Sequence, residues 1–322
     1  MKPRKKNYLG IDLGGTGTGI GIVDGEGELL EIVYLPTEVE KGLEHLVSSI
    51  GKAARDLIRS SKIEVSLAGM GAPGPLDTGT GVVIEMPNFG WKNVPFGELI
   101  EKELGIRTYL DNDANAAAFG EWWAGAGVGA EALVCFTLGT GVGGGIVVNG
   151  NVYRGVSDAA AEFGHMIVEP RGRKCNCGKS GCLEAYASAT AISKKGRKKA
   201  GEGGASAILE LAGGDEVNIT SELVTRAAAG GDSVALEILE EAAWYLALGV
   251  SNVMNALNPD IVVIGGGVIG AGELLFDPLR RFVSELTFDT IDNAASIVPA
   301  KLGIKAGTVG AAGIAMRREG IS

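Results

Sequence analysis

The stretch YLGIDLGGTGTGIGIVDGEGELLEIVYL, residues 8–35, decides the fold. Tyr8–Leu13 is a short apolar run turned by Gly14-Gly15-Thr16, and Thr18–Asp24 and Leu29–Leu35 follow it. Apolar runs punctuated by glycine in this way predict three consecutive strands of a β-meander. Working outward, apolar residues recur at helical spacing from Gly42 to Ser60, which predicts an amphipathic helix laid on the sheet. Ile63–Met70 is the next expected strand and runs into the rigid loop Gly71–Pro75. A βββαβ unit is then complete.

A variant of the same pattern returns downstream. Ala132–Leu138 is an apolar strand, Gly139-Thr140-Gly141 a turn and Gly143–Val148 a second strand, with a third near Val152. We read this as an internal duplication of the opening meander. Between the copies, Val82–Glu85 and Thr108–Leu110 read as strands, Phe96–Leu104 and Ala114–Trp123 as helices, with Asp113 near the second N-cap. After the second copy, helices are expected over Leu183–Ala212, Thr220–Ala229, Val234–Leu257, Glu273–Leu286 and Thr308–Arg318, and strands over Ile261–Ile264 and Ser296–Val298. The layout predicts two α/β domains, 1–112 with 308–322, and 113–307.

The whole-chain properties narrow the function. A length of 322 residues suits two domains of common size. A net charge of −10 argues against a nucleic-acid surface, which needs a basic stripe. The basic runs Lys2–Lys6 and Lys194–Lys199 read as a frayed terminus and a solvated helix end. No secretory leader and no membrane-spanning run is legible, and cysteines are few, so a cytoplasmic location is expected. The 52 glycines follow no collagen-like period and cluster at the ends of apolar runs, as where backbone is laid against ligands.

Three places carry chemistry. At Asp12-Leu13-Gly14-Gly15-Thr16, backbone N–H groups of a glycine turn can face an anion, and Asp12 can bear on a Mg²⁺ bound to phosphates. Its duplicate, Gly139-Thr140-Gly141, can do the same. Asp113 follows Asn112 at a helix start, which favours an ionised carboxylate suited to accept a hydroxyl proton. Third, residues 162–184, EFGHMIVEPRGRKCNCGKSGCLE, hold three of the four cysteines and one of the two histidines. His165, Cys175, Cys177 and Cys182 form a Cys₃His set suited to a structural Zn²⁺; the plain alternative is three ordinary thiols and a histidine. Two G-x-G-x-x-G matches, from Gly139 and from Gly265, lack the helix or the acidic ribose ligand of a dinucleotide fold. No G-x-x-x-x-G-K-[ST] occurs.

The succession DLGGT (12–16), GAPGP (71–75), DNDANAAAFGE (111–121), LGTGVGGGIVVNG (138–150), AEFGH (161–165) and CNCGKSGCLEAYAS (175–188) resembles the ROK family of sugar kinases, most of all its bacterial glucokinases. The resemblance implies the two-domain actin-like, hexokinase-like ATPase fold of the ribonuclease H-like kind, with ATP and sugar meeting in a cleft. It makes Asp113 the base for the sugar 6-hydroxyl. It makes Asn112, Glu162, His165 and Glu184 partners of the other hydroxyls, with Asn88 and the loop from Gly71 on the opposite wall. Asp12, Gly14, Gly15, Thr16, Gly139, Thr140 and Gly141 would face the phosphates and Mg²⁺, and Gly265, Gly266 and Gly267 the adenosine. In the same comparison the zinc holds sugar-binding residues in place, with one His165 nitrogen on the metal and the other on a hydroxyl. A homodimer or homotetramer is the expected assembly. Glucose is the expected acceptor; N-acetylmannosamine, fructose or allose as acceptor and polyphosphate as donor stay open. Some members are repressors with a preceding DNA-binding domain; with the first phosphate strand starting at Tyr8, a kinase is expected instead.

Overall fold

Alternate residues of the first strand, Asn7–Leu13 (β1), face opposite sides of a sheet, and this sets what covers each side. Leu9, Ile11 and Leu13 enter one apolar cluster, together with Leu46, Ile50 and Ala54 of the helix Leu43–Ser61 (α1). Tyr8 enters another, with Val309 and Ala312 of the small-residue helix near the end of the chain. That helix lies so close to the sheet that a Cβ at Gly10 would stand 1.9 Å from the Thr308 carbonyl oxygen. Only glycine leaves room.

The computed structural model describes residues 6–203 and 206–319; of the terminal basic run, Lys2–Lys5 lie outside the described residues. β1 is followed by β2 (Gly17–Asp24) and β3 (Leu29–Pro36), then β4 (Leu67–Ala72), β5 (Leu76–Asp77), β6 (Val82–Met86), β7 (Trp91–Val94) and β8 (Thr108–Asn112). The second series is β9 (Ala132–Leu138), β10 (Val142–Val148), β11 (Asn151–Val152), β12 (Ile261–Gly265) and β13 (Ser296–Pro299). The two large sheets have the orders β3-β2-β1-β4-β8 and β11-β10-β9-β12-β13. In each, the meander leads from the edge to a central strand that is followed by two more, which is the expected duplication. A small sheet, β5-β6-β7, was not foreseen beyond β6.

The remaining helices are α2 (Phe96–Leu104), α3 (Asp113–Ala124), α4 (Glu184–Ala187), α5 (Ala189–Gly201), α6 (Ser206–Leu211), α7 (Ser221–Ala229), α8 (Ser233–Leu257), α9 (Glu273–Leu286), α10 (Asp289–Asp292) and α11 (Ala306–Glu319). The single helix expected over Leu183–Ala212 is instead three. Ser188 is extended and its hydroxyl accepts from Ala191 N, so it ends α4 and caps α5. The expected strand Ile63–Met70 begins only at Leu67 and takes in Gly71 and Ala72.

Two compact units result. One comprises the chain through Leu133, Gly145–Ala161 and the segment from Lys301; the other comprises Val134–Gly144 and Glu162–Ala300. In the first, α3 and α11 pack on each other, and α11 lies on β1 and β4. The second is built around α8, against which α4, α5, α7 and α9 pack. Among the described residues no helix is long and apolar enough to cross a membrane.

Candidate active site

In the first unit the chemistry gathers at the ends of three parallel neighbours. β1 and β4 pair with Asp12 opposite Gly71, and β4 and β8 pair with Gly71 opposite Asp111. The carboxyl ends of parallel strands are where α/β sheets bind ligands. β8 leads directly into α3, whose N-cap is Asn112: its Oδ1 accepts from Ala114 N at 2.9 Å and Asn115 N at 3.2 Å. Asp113 is therefore the first helical residue, one position after the cap, with its Oδ1 2.9 Å from Ala114 N. Gly71 stands beside it, since a Cβ there would come within 3.3 Å of the Asp113 Cα. Asn88 is exposed in the turn between β6 and β7, anchored by the buried Phe89 ring against Trp91.

Asp12 is close to the same point. Burial, and secondly the Asp113 carboxylate, push its carboxyl up to about 7. Two carboxylates competing for charge in a half-buried place suit a divalent cation, so the residues present fit a Mg²⁺ accompanying phosphates. The adjoining turn is firm: Gly14 N donates to Gly17 O at 3.0 Å, and the Thr37 hydroxyl donates to Gly14 O at 2.7 Å. Gly15 and Thr16 are exposed at its tip.

In the second unit the turn Gly139-Thr140-Gly141 is tighter by one residue, with Gly139 N donating to Gly141 O at 2.9 Å. The Thr190 hydroxyl fixes it by donating to Thr140 O at 2.7 Å. Glu184, at the start of α4, lies against the turn, its Oε2 accepting from Val142 N at 3.1 Å. The glycine run after β12 comes to the same strand end: Gly266 has φ +90°, and a Cβ there would stand 2.2 Å from Leu138 O. Thus Gly139–Gly141, Glu184 and Gly265–Gly267 are one neighbourhood. Glu162 is exposed just before the one-turn helix Phe163–His165.

The ligating atoms of His165, Cys175, Cys177 and Cys182 all lie within 4.8 Å of one another. Sγ of Cys177 and Cys182 are 3.6 Å apart, and Sγ of Cys175 is 3.8 Å from His165 Nδ1. Sulfurs bound at about 2.3 Å around a tetrahedral ion would be about 3.8 Å apart, so the set fits Zn²⁺. Burial pushes the Cys175 thiol up to about 12, while the Lys179 backbone N–H draws Cys177 down. Nδ1 is the nitrogen of His165 on the cysteine side, which leaves Nε2 for another partner. Glu184 Oε1 is 3.6 Å from Cys175 Sγ, so one carboxylate touches both the cysteine cluster and the glycine turn.

Three features escaped the sequence reading. Glu121, the last residue of the DNDANAAAFGE motif, is buried and accepts from the backbone N–H of Ala126, Lys301 and Leu302, holding the approach to α11. Asp111 is ion-paired to Arg154. The run Lys194–Lys199 is more than a solvated end, because Lys194, Lys195 and Lys198 line a cavity of about 230 Å³ with Arg173, Lys174, Thr140 and Glu184. The spacing of the three lysines along one helix face was the available signal.

The ROK family profile matches residues 8–318. A glucokinase of Thermotoga maritima is 40% identical over 317 residues, 98% of this chain and 99% of that protein. One of Halalkalibacterium halodurans is 37% identical, covering 97% and 96%. Among solved structures, a ROK family glucokinase from Streptomyces griseus in complex with glucose and AMPPNP superposes with a TM-score of 0.83 at 35% identity, over 97% of this chain and 99% of that one.

Proposed function

We propose that this chain, which belongs to the ROK family, is an ATP-dependent kinase that phosphorylates glucose on its 6-hydroxyl. The observation that carries the proposal is the near-complete overlap with the Thermotoga maritima glucokinase. Every glycine turn, carboxylate and thiol named above stands within the overlap with the family.

In this reaction Asp113 accepts the proton of the 6-hydroxyl while that oxygen forms a bond to the γ-phosphorus. The bond from the γ-phosphorus to the bridging oxygen breaks, and ADP leaves with the electron pair. Asn112, capping α3, holds the backbone around Asp113 and offers its amide to a neighbouring hydroxyl. Glu162, Glu184 and Nε2 of His165 receive the remaining hydroxyls, with Asn88 and Gly71 as further contacts. The turns at Gly14–Thr16 and Gly139–Gly141 turn backbone donors toward phosphate oxygens, and Gly265–Gly267 lets backbone approach the nucleoside. The cationic cavity beside Thr140 adds positive charge on the donor's side. Asp12 would hold Mg²⁺, which neutralises phosphate charge when bound; Zn²⁺ on the Cys₃His set would fix His165 and, two residues after the ligand Cys182, the segment that carries Glu184. Most of the acceleration comes from placement and charge neutralisation. A cytoplasmic location and a dimeric or tetrameric assembly accompany this proposal.

The test is ADP formation from Mg²⁺·ATP across a sugar panel, with polyphosphate as a second donor. Stimulation by glucose above N-acetylmannosamine, fructose and allose supports the proposal. No stimulation by any sugar removes it.

A further inference from the structure

Asp111 is 1% exposed, the proposed reaction gives it no role, and its four hydrogen bonds all lie inside the first unit. Oδ1 accepts from Asn112 N at 2.8 Å and from Asn115 Nδ2 at 3.0 Å. Oδ2 accepts from Arg154 Nε at 2.8 Å and Nη2 at 2.5 Å. The guanidinium is itself tethered, Nη1 donating to Val152 O at 3.3 Å. Both Arg154 donors converge on Oδ2 while Oδ1 is held by Asn112 N and Asn115 Nδ2, so the arginine and the two asparagines together fix the carboxylate's orientation.

The position of this pair in the chain gives it a consequence. Asp111 is the penultimate residue of β8, Asn112 ends the strand and caps the helix, and Asp113 begins it. Asp111 grips the backbone N–H of the cap residue Asn112 and, one turn further, the side chain of Asn115, so it spans Asp113 and Ala114 between them. We propose that the Arg154–Asp111 ion pair is a positioning device for the catalytic base: it locks the junction of β8 and α3 and thereby fixes where the Asp113 carboxylate points. The inference rests on the kinase reading with Asp113 as base.

A buried ion pair is poor evidence for stability, since two apolar residues of similar volume often serve as well. Here each carboxylate bond runs to the segment that carries the base or to the arginine that anchors it. A positioning role accounts for that arrangement; a purely structural one does not require it. Errors of about 1 Å in placing a reacting group can cost about a hundredfold in rate.

The experiment compares wild type with Arg154→Lys, Arg154→Met and the double variant Asp111→Asn/Arg154→Met. It measures kcat, KM for glucose and for ATP, glucose affinity by titration, and melting temperature, with assays run well below each melting point. We expect Arg154→Met to lose about a hundredfold in kcat while both KM values and the glucose affinity stay within about threefold. Arg154→Lys keeps the charge without the paired donors and should recover part of that loss. The double variant removes the unpaired buried carboxylate, so it should regain melting temperature but not kcat. Recovery of kcat together with stability in the double variant overturns the proposal, as does unchanged kcat in a folded Arg154→Met. Absence of glucose-dependent ADP formation in the wild type would instead fault the kinase reading.

Discussion

The Glu184 carboxylate accepts a hydrogen bond from Val142 N at 3.1 Å, and its other oxygen lies 3.6 Å from Cys175 Sγ. One side chain thus joins the glycine turn at Gly139–Gly141 to the cysteine cluster. Substituting Glu184→Gln keeps the shape and removes the charge. If Glu184 receives a sugar hydroxyl as proposed, KM for glucose should rise at least about tenfold, a charge-assisted bond being exchanged for a neutral one, with a smaller change in kcat. Steady-state kinetics with glucose varied at saturating ATP checks this.

Metal analysis of the purified protein should give one zinc per chain, carried by His165, Cys175, Cys177 and Cys182. Cys177→Ser should lose the zinc and weaken glucose binding together, by about ten- to a hundredfold, as loss of a group that orients binding residues commonly does. Elemental analysis alongside a glucose titration makes the comparison. Zinc loss with unchanged glucose affinity would separate the cluster from the sugar site.

Gly266 sits at φ +90° with Leu138 O in the place of a side chain, 2.2 Å from where a Cβ would be. Gly266→Ala must shift the glycine run off the end of β9. A loss of about 1–3 kcal/mol in unfolding free energy is expected for such a residue, together with a raised KM for ATP. Denaturant titration and ATP kinetics measure the two effects.

The carboxyl of Asp12 is pushed from its ordinary value of 3.8 up to about 7, first by burial and then by Asp113. A raised folded-state value means that the folded protein holds the proton more tightly. The stability this contributes is fully present below pH 3.8 and is lost as pH rises through about 7. Metal-free wild type should therefore lose stability relative to Asp12→Asn across that window. Mg²⁺ needs the ionised carboxylate, so its stabilising effect should grow over the same range. Thermal melts of both proteins from pH 4 to pH 8, with and without Mg²⁺, test the sign.

The meanders at residues 8–35 and 132–152 were legible because their strands are apolar and their turns are glycine. The end of β8 was less so. Asp111 and Asn112 are polar and do not look like strand, and they are tolerated there because Arg154, from a distant loop, satisfies the one, while the other caps α3. That pairing is a tertiary event that a single arginine in a loop cannot announce. β5 and β7 are too short to show a period. The break at Ser188 was marked by an N-cap residue, but the surrounding helical pattern hid it. The Cys₃His set was readable because its ligands are close in sequence. The nearness of Asp12 to Asp113 came only with the parallel pairing of β1, β4 and β8.

The most direct test of the account is the Asp113→Asn variant, assayed for glucose phosphorylation and for glucose binding on the same preparation. A folded variant that binds glucose within a few-fold of wild type and loses about a hundredfold or more in kcat is the predicted result, in keeping with the contribution of a general base. A kcat near that of wild type would contradict it.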